Sequence, residues 1–233
     1  MVCGEKIAWE ETLTFVGTVL DLSGSSWAAI TYRMAQANKA FAKWKPLLTC
    51  PWIPKARRIQ MLAKTVWPSC LWSSSTWTLT KDLQNKISSW SARIAAKVAR
   101  VRRAPWQLDD QWWRLMHKSG HRLISKYNVD LVRMCRVRLH RWAGHVARMG
   151  PTASAAQALR CRGLQWWRWR QHQHKLTKDK WTGPHPQRYK LYRWEEQTAK
   201  LFGEGYAEDI SLNTGWLLVA QDRERWRAVE ARV

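Results

Sequence analysis

The chain has 233 residues, 45% apolar and 24% charged, a balance that excludes wholesale disorder and suits one large domain or two small ones. No apolar run reaches the roughly eighteen residues of a membrane-spanning helix, and the N-terminus is acidic where a signal peptide needs an apolar stretch, so no membrane partner and no secreted product are expected. Forty Lys and Arg against seventeen Asp and Glu give a formal charge of +23, which calls for a polyanionic partner, with nucleic acid first.

Residues 12–22 (TLTFVGTVLDL) alternate and are rich in β-branched side chains, which predicts a strand or one arm of a hairpin, closed by a turn at residues 21–24. From Ser26 the period becomes helical, with Ile30, Met34, Ala37, Phe41 and Trp44 in one stripe that should end before Pro46. A second helix is expected from Pro54 through Ile59, Leu62, Ala63 and Val66, and Pro68 should kink or end it. Thr80 suits an N-cap, followed by a stripe of Leu83, Ile87, Trp90, Ile94 and Val98. Pro105 breaks the chain, a fourth helix starts near Asp109, and a fifth follows Asn128 with Leu131, Cys135, Leu139, Trp142 and Val146. Beyond Pro151 the pattern weakens. Helices are expected over 153–176 and 189–202, a linker over 181–186, and a final helix over 215–231.

The predicted fold is therefore mainly α. An N-terminal β-strand or hairpin (1–24) precedes an α-helical bundle (25–150), and a less regular helical C-terminal extension follows (151–233).

The positive charge is concentrated. Residues 22–194 hold thirty-four Lys and Arg against five Asp and no Glu, so helices there lack Glu–Lys pairs one turn apart. Faces with unpaired cations repel themselves unless an anion neutralises them, which points to phosphates. The five cysteines include no close pair, so zinc is not expected, and the odd number suits reduced thiols in an intracellular, nuclear or cytoplasmic setting.

Little here supports catalysis. Asp109 and Asp110 are adjacent, as in two-metal sites, but they precede QWWR at a helix start, where acidic residues complement the helix dipole. No phosphate-cradling loop, HExxH or nucleophile elbow occurs. Neither catalytic nor metal-ligating residues are assigned, and no small-molecule substrate is inferred. What remains is Trp beside Arg, at 112–114, 141–142 and 166–170, a pairing that can stack bases while holding phosphates. Trp90 and Trp142, at helical spacing, suit the core instead.

Several segments carry a resemblance. Residues 138–149 (RLHRWAGHVARM) closely resemble the R-L-R-W-x-G-H-V-x-R-M segment downstream of the polymerase core in non-LTR (LINE-type) retrotransposon reverse transcriptases. Residues 66–79 are similar to that family's V-x-P-x-L-x-Y-G-x-E-T-W-x-L, with Trp72, Ser73 and Ser75 in place of its Tyr, Gly and Glu. Phe15, Val16 and Gly17 resemble the F/Y-L-G of the primer-grip hairpin, Arg33, Ala37 and Phe41 the R-I-x-x-A-x-x-A-F helix, and residues 220–227 a closing A-x-D-R-x-x-W-R.

The family's Y/F-x-D-D motif is absent. The resemblance thus implies a truncated RNA-directed DNA polymerase: primer grip, helical thumb and C-terminal connector, with the Mg²⁺-binding carboxylates of the parent enzyme elsewhere and no cofactor in this chain. Its partners would be RNA and DNA as template–primer. Phe15, Val16 and Gly17 would form the grip. Arg57, Arg58, Lys64, Arg93, Arg100, Arg102 and Arg103 would contact backbone phosphates, with Arg138, Arg141 and Arg148 as further contacts or as packing around Trp142. The alternative reading is a decayed retroelement open reading frame with no selected activity, which the three substitutions and the nineteen Trp also fit. A membrane-surface protein would need cleaner basic and apolar helix faces.

Overall fold

The structure is a computed structural model and describes residues 11–21, 25–157, 216–231 and 233. A two-stranded antiparallel hairpin, β1 (Thr12–Phe15) and β2 (Thr18–Asp21), opens it, with Phe15 opposite Thr18. Helices follow: α1 (Trp27–Leu48), α2 (Lys55–Thr65), α3 (Trp67–Cys70), a 3-10 turn at Ser74–Thr76, α4 (Lys81–Val98), α5 (Asp109–Lys126) and α6 (Leu131–Ala147). Two short helices, α7 (Trp216–Gln221) and α8 (Arg223–Glu230), complete it. The described residues adopt the expected mainly helical fold behind an N-terminal hairpin. The chain forms two compact units, residues 1–135 and 136–233, and the division falls inside α6.

The hairpin turns earlier than the alternation implied. Residues 12–22 are not one strand, because Val16 and Gly17 form a two-residue loop with φ of 46° and 71°. Positive φ at both loop residues matches the right-handed twist of the flanking strands. The turn was hard to see because Val, β-branched, is a poor resident of that region. Other groups hold it there: Trp72 Nε1 donates to the Val16 carbonyl at 3.1 Å, and the Arg33 guanidinium fills the space where a Gly17 side chain would stand.

Prolines also act differently from expectation. Pro46 lies inside α1, which continues to Leu48 because that leucine is fully buried and the Thr49 N–H still donates to the Lys45 carbonyl. Pro68 separates two helices by starting the second, at a first-turn position whose N–H has no helical partner to lose. Thr80 caps α4 as expected, its hydroxyl accepting from Leu83 N–H at 3.2 Å. The expected final helix is two helices, broken at Asp222, whose carboxylate caps α8 by accepting from the N–H groups of Glu224 and Arg225. Of the helix expected over 153–176, residues 154–157 are helical and the remainder lies outside the described residues, as do the linker at 181–186 and the segment at 189–202.

The core of the first unit gathers around α4, which is buried on most of its circumference. Trp67 and Trp90 pack with ring centroids 5.6 Å apart, and each indole finds an acceptor, the Val129 carbonyl for Trp67 and Asn38 Oδ1 for Trp90. α5 crosses α4 backbone to backbone: a Cβ on Gly120 would stand 2.0 Å from the Ala92 carbonyl oxygen. In the second unit Ala143, Val146, Val219, Ala220 and Trp226 form one cluster.

Candidate nucleic-acid interface

Burial leaves α4 only a narrow solvent sector, which Arg93 and Lys97 share with Asp82 and Lys86 toward the start of the helix, and the Lys86 amine is turned to α1, donating to Thr31 Oγ1 at 2.7 Å and lying over the Trp27 ring. Arg100 follows just past the helix end with φ of 61°. α5 buries Met116, Gly120 and Ile124 and turns Arg114, Lys118, His121 and Arg122 outward on the opposite face. Arg93 on α4 stands near His117 and His121 on the flank of α5. The His117 and His121 rings lie 6.2 Å apart, and burial, then Arg93, then His121 hold the His117 imidazole below its ordinary pKa. No carboxylate contributes to that effect. Arg114 shares an exposed i,i+4 pair with Asp110 at 3.5 Å, which holds it only weakly.

The expected phosphate contacts divide into groups. Arg57 and Lys64 are exposed on α2, and Arg100 and Arg102 are exposed after α4. Arg93 is half-buried within the row just described. Arg58 is a correction. It is 5% exposed, and its guanidinium donates to the Val98 carbonyl at the C-terminal end of α4, so it is a packing residue rather than a phosphate contact. A cation suits that place because the last carbonyls of a helix carry partial negative charge. Arg103 is engaged locally, by Asp109 at 2.6 Å and by the Gln107 carbonyl. Asp109 and Asp110, in the first turn of α5, are thus both taken up by arginines. Phe15 and Val16 are exposed at the hairpin tip, and Gly17 is half-buried against Arg33.

In the second unit the segment 138–149 and the segment 220–227 dock on each other. The His140 and Trp226 rings stack at 4.0 Å with 4° between planes, His140 Nε2 donates to the Trp226 carbonyl at 3.0 Å, and Trp226 Nε1 returns a bond to the His140 carbonyl at 3.1 Å. Gly144 allows this approach, since a Cβ there would lie 2.3 Å from the Trp226 ring nitrogen. The packing is therefore around Trp226 and not Trp142, which is part-exposed beside His145. Arg141 makes a two-pronged pair with Glu230, at 2.8 and 2.6 Å, and holds that carboxyl below its ordinary pKa. Arg148 donates to the Ala220 carbonyl. Arg138 is exposed.

Sequence reasoning read His117 and His121 as surface donors or packed core residues rather than site residues, and it did not single out Arg223 and Arg227. The helical spacing of Arg114, Lys118 and His121 could have revealed the first two, whereas the last two became visible only once α8 had a place. Tryptophan serves mainly packing where it is buried, as at Trp67, Trp77, Trp90 and Trp226, while Trp52, Trp106 and Trp113 face solvent. The Trp-Arg run at 166–170 lies outside the described residues. Among the described residues no group of three His, Cys, Asp or Glu is placed to hold a metal ion, and no helix is long and apolar enough to cross a membrane. Comparison with known protein families, curated proteins and solved structures gives no match.

Proposed function

We propose that the chain is the portion of a non-LTR retrotransposon reverse transcriptase that follows the polymerising palm, and that it grips template–primer nucleic acid through backbone phosphates. Bond-making falls to carboxylates and Mg²⁺ of the parent enzyme that this sequence does not include. The observation that carries the reading is the docking of residues 138–149 on residues 220–227. Two segments that resemble one family, separated by some seventy residues, supply complementary surfaces, down to a glycine that makes room for a tryptophan. Ser73 adds support. It stands where the family has Gly, and its φ of 59° is a conformation that glycine adopts without steric cost.

The binding side of the proposal draws on the cationic rows of α4 and α5. Beyond their first turns, which hold Asp82, Asp109 and Asp110, these helices carry no carboxylate, and cations arranged in rows neutralise a sugar–phosphate strand without reading its sequence. The test is the affinity of the full chain for a labelled RNA–DNA duplex as a function of salt. Four or more phosphate contacts give a slope of log affinity against log salt steeper than about −3. A slope near zero, or no binding at low salt, overturns the proposal and leaves the decayed reading frame as the better account.

A further inference from the structure

α6 and α8 enclose a cleft of about 700 Å³ in the second unit, a volume in the range of small-ligand sites. Four arginines line it, Arg141, Arg148, Arg223 and Arg227, with His145 and an edge of Trp226. Among the described lining residues Glu230 is the one carboxylate, and Arg141 already occupies both of its oxygens. Among the described residues three guanidinium groups and an imidazole are left facing a common space, with Glu230, already paired with Arg141, as the carboxylate they share. Their crowding has physical consequences. Burial lowers the Arg148 pKa, and repulsion from Arg223 and then Arg227 lowers it further. Arg223 is also the first residue of α8, where the helix dipole disfavours a cation. A bound anion would relieve all of these costs at once.

We propose that this cleft is a phosphate-binding site, separate from the α4–α5 rows, that takes a phosphate of a single nucleic-acid strand between Arg148, Arg223 and Arg227. Guanidinium forks match phosphate oxygens two at a time, which a row of lysines would not do. The proposal rests on the nucleic-acid reading above, and its ligand is either a terminal monoester or an internal diester.

The experiment compares the full chain with R223Q/R227Q and with R93Q/K97Q, titrating labelled single strands of about twelve nucleotides, 5′-phosphorylated or 5′-hydroxylated. Both arginines are exposed, so R223Q/R227Q should melt as the parent does. Its affinity should fall on the order of tenfold, and its salt slope should shrink by roughly 1.4, the share of two contacts on a single strand. R223K/R227K keeps the charge and should recover the slope, which rules out a merely structural loss. A loss confined to the 5′-phosphorylated strand assigns the terminal monoester, and an equal loss on both strands assigns the internal diester. If R223Q/R227Q binds both strands like the parent while R93Q/K97Q is weakened, the cleft proposal is overturned and the α4–α5 interface stands. The reverse result keeps the cleft and limits the α4–α5 rows to duplex binding. No binding of either strand by the parent chain overturns the cleft proposal, while the duplex titration alone decides the α4–α5 rows.

Discussion

Gly144 and Ser73 show how much a single backbone position decides. The Trp226 ring lies where a Gly144 side chain would begin, so Gly144→Ala must push the indole off His140. The expected loss is about 1–3 kcal/mol, the usual cost of overpacking, read as a lower denaturation midpoint in urea. Ser73 works in the other direction. Left-handed backbone costs a non-glycine residue roughly 1 kcal/mol, so Ser73→Gly should leave stability equal or raise it by up to that amount, offset in part by greater freedom of the unfolded chain. A clear loss of stability would show that the Ser73 side chain contributes something its geometry does not display. Arg57 and Arg58 form a matched pair. Arg57→Gln should reduce the salt dependence of duplex binding by about one unit of slope with the melt unchanged. Arg58→Gln should lower the melt, because the Val98 carbonyl loses a charged donor, and leave the slope as it was.

Among the elements, α4 and α5 act as a pair. R93Q/K97Q should weaken binding to an RNA–DNA duplex and flatten the salt slope by about two units, measured by anisotropy across a salt series. The pH dependence of that binding has a definite sign. In the free protein burial, Arg93 and His121 keep His117 below its ordinary value of 6.5, so it is neutral near pH 7. A phosphate alongside favours the protonated ring, so affinity should tighten as pH falls below about 6.5. His117→Gln should remove that part of the trend, and an unchanged pH profile would place the phosphate elsewhere.

The elements were largely legible in the sequence because their signals are local. A hydroxyl at Thr80, acids at Asp109 and Asp110 and the stripe of α4 each state a boundary or a face within a few residues. What escaped depended on distant partners. The Val16–Gly17 turn is held by Trp72 and Arg33, Pro46 is carried by the burial of Leu48, and Arg58 is internal because the end of α4 lies against α2. The candidate site was half legible for the same reason. Cations can be counted from composition, but which of them a carbonyl or carboxylate engages cannot.

At the scale of the whole molecule the histidines couple acidity to folding. His140 is 2% exposed, with Nε2–H committed to the Trp226 carbonyl and Nδ1 buried without a partner. Burial lowers its pKa, against the opposing pull of the Trp226 carbonyl and Glu230, so the folded chain resists protonation there while the unfolded chain accepts it. His117 acts in the same sense. The unfolded state then binds more protons below pH 6.5, and stability must decline as pH falls through the range beneath that value. Thermal melts from pH 7.5 to about 5 should show the decline, reduced in the H140Q variant at the lower end of the range. The thiol of Cys70, pushed up to about 12 by burial, stays protonated across that range and contributes nothing to the trend.

The contact of Gly120 with the Ala92 carbonyl has a mechanical consequence. Where two helices meet through their main chains, the gauge between them is set by covalent geometry and cannot widen or narrow by rotamer changes. Adjustment to a bound strand would then come from the long side chains alone, so A-form and B-form duplexes, with their different groove widths, should be sorted by reach rather than by flexing of the scaffold.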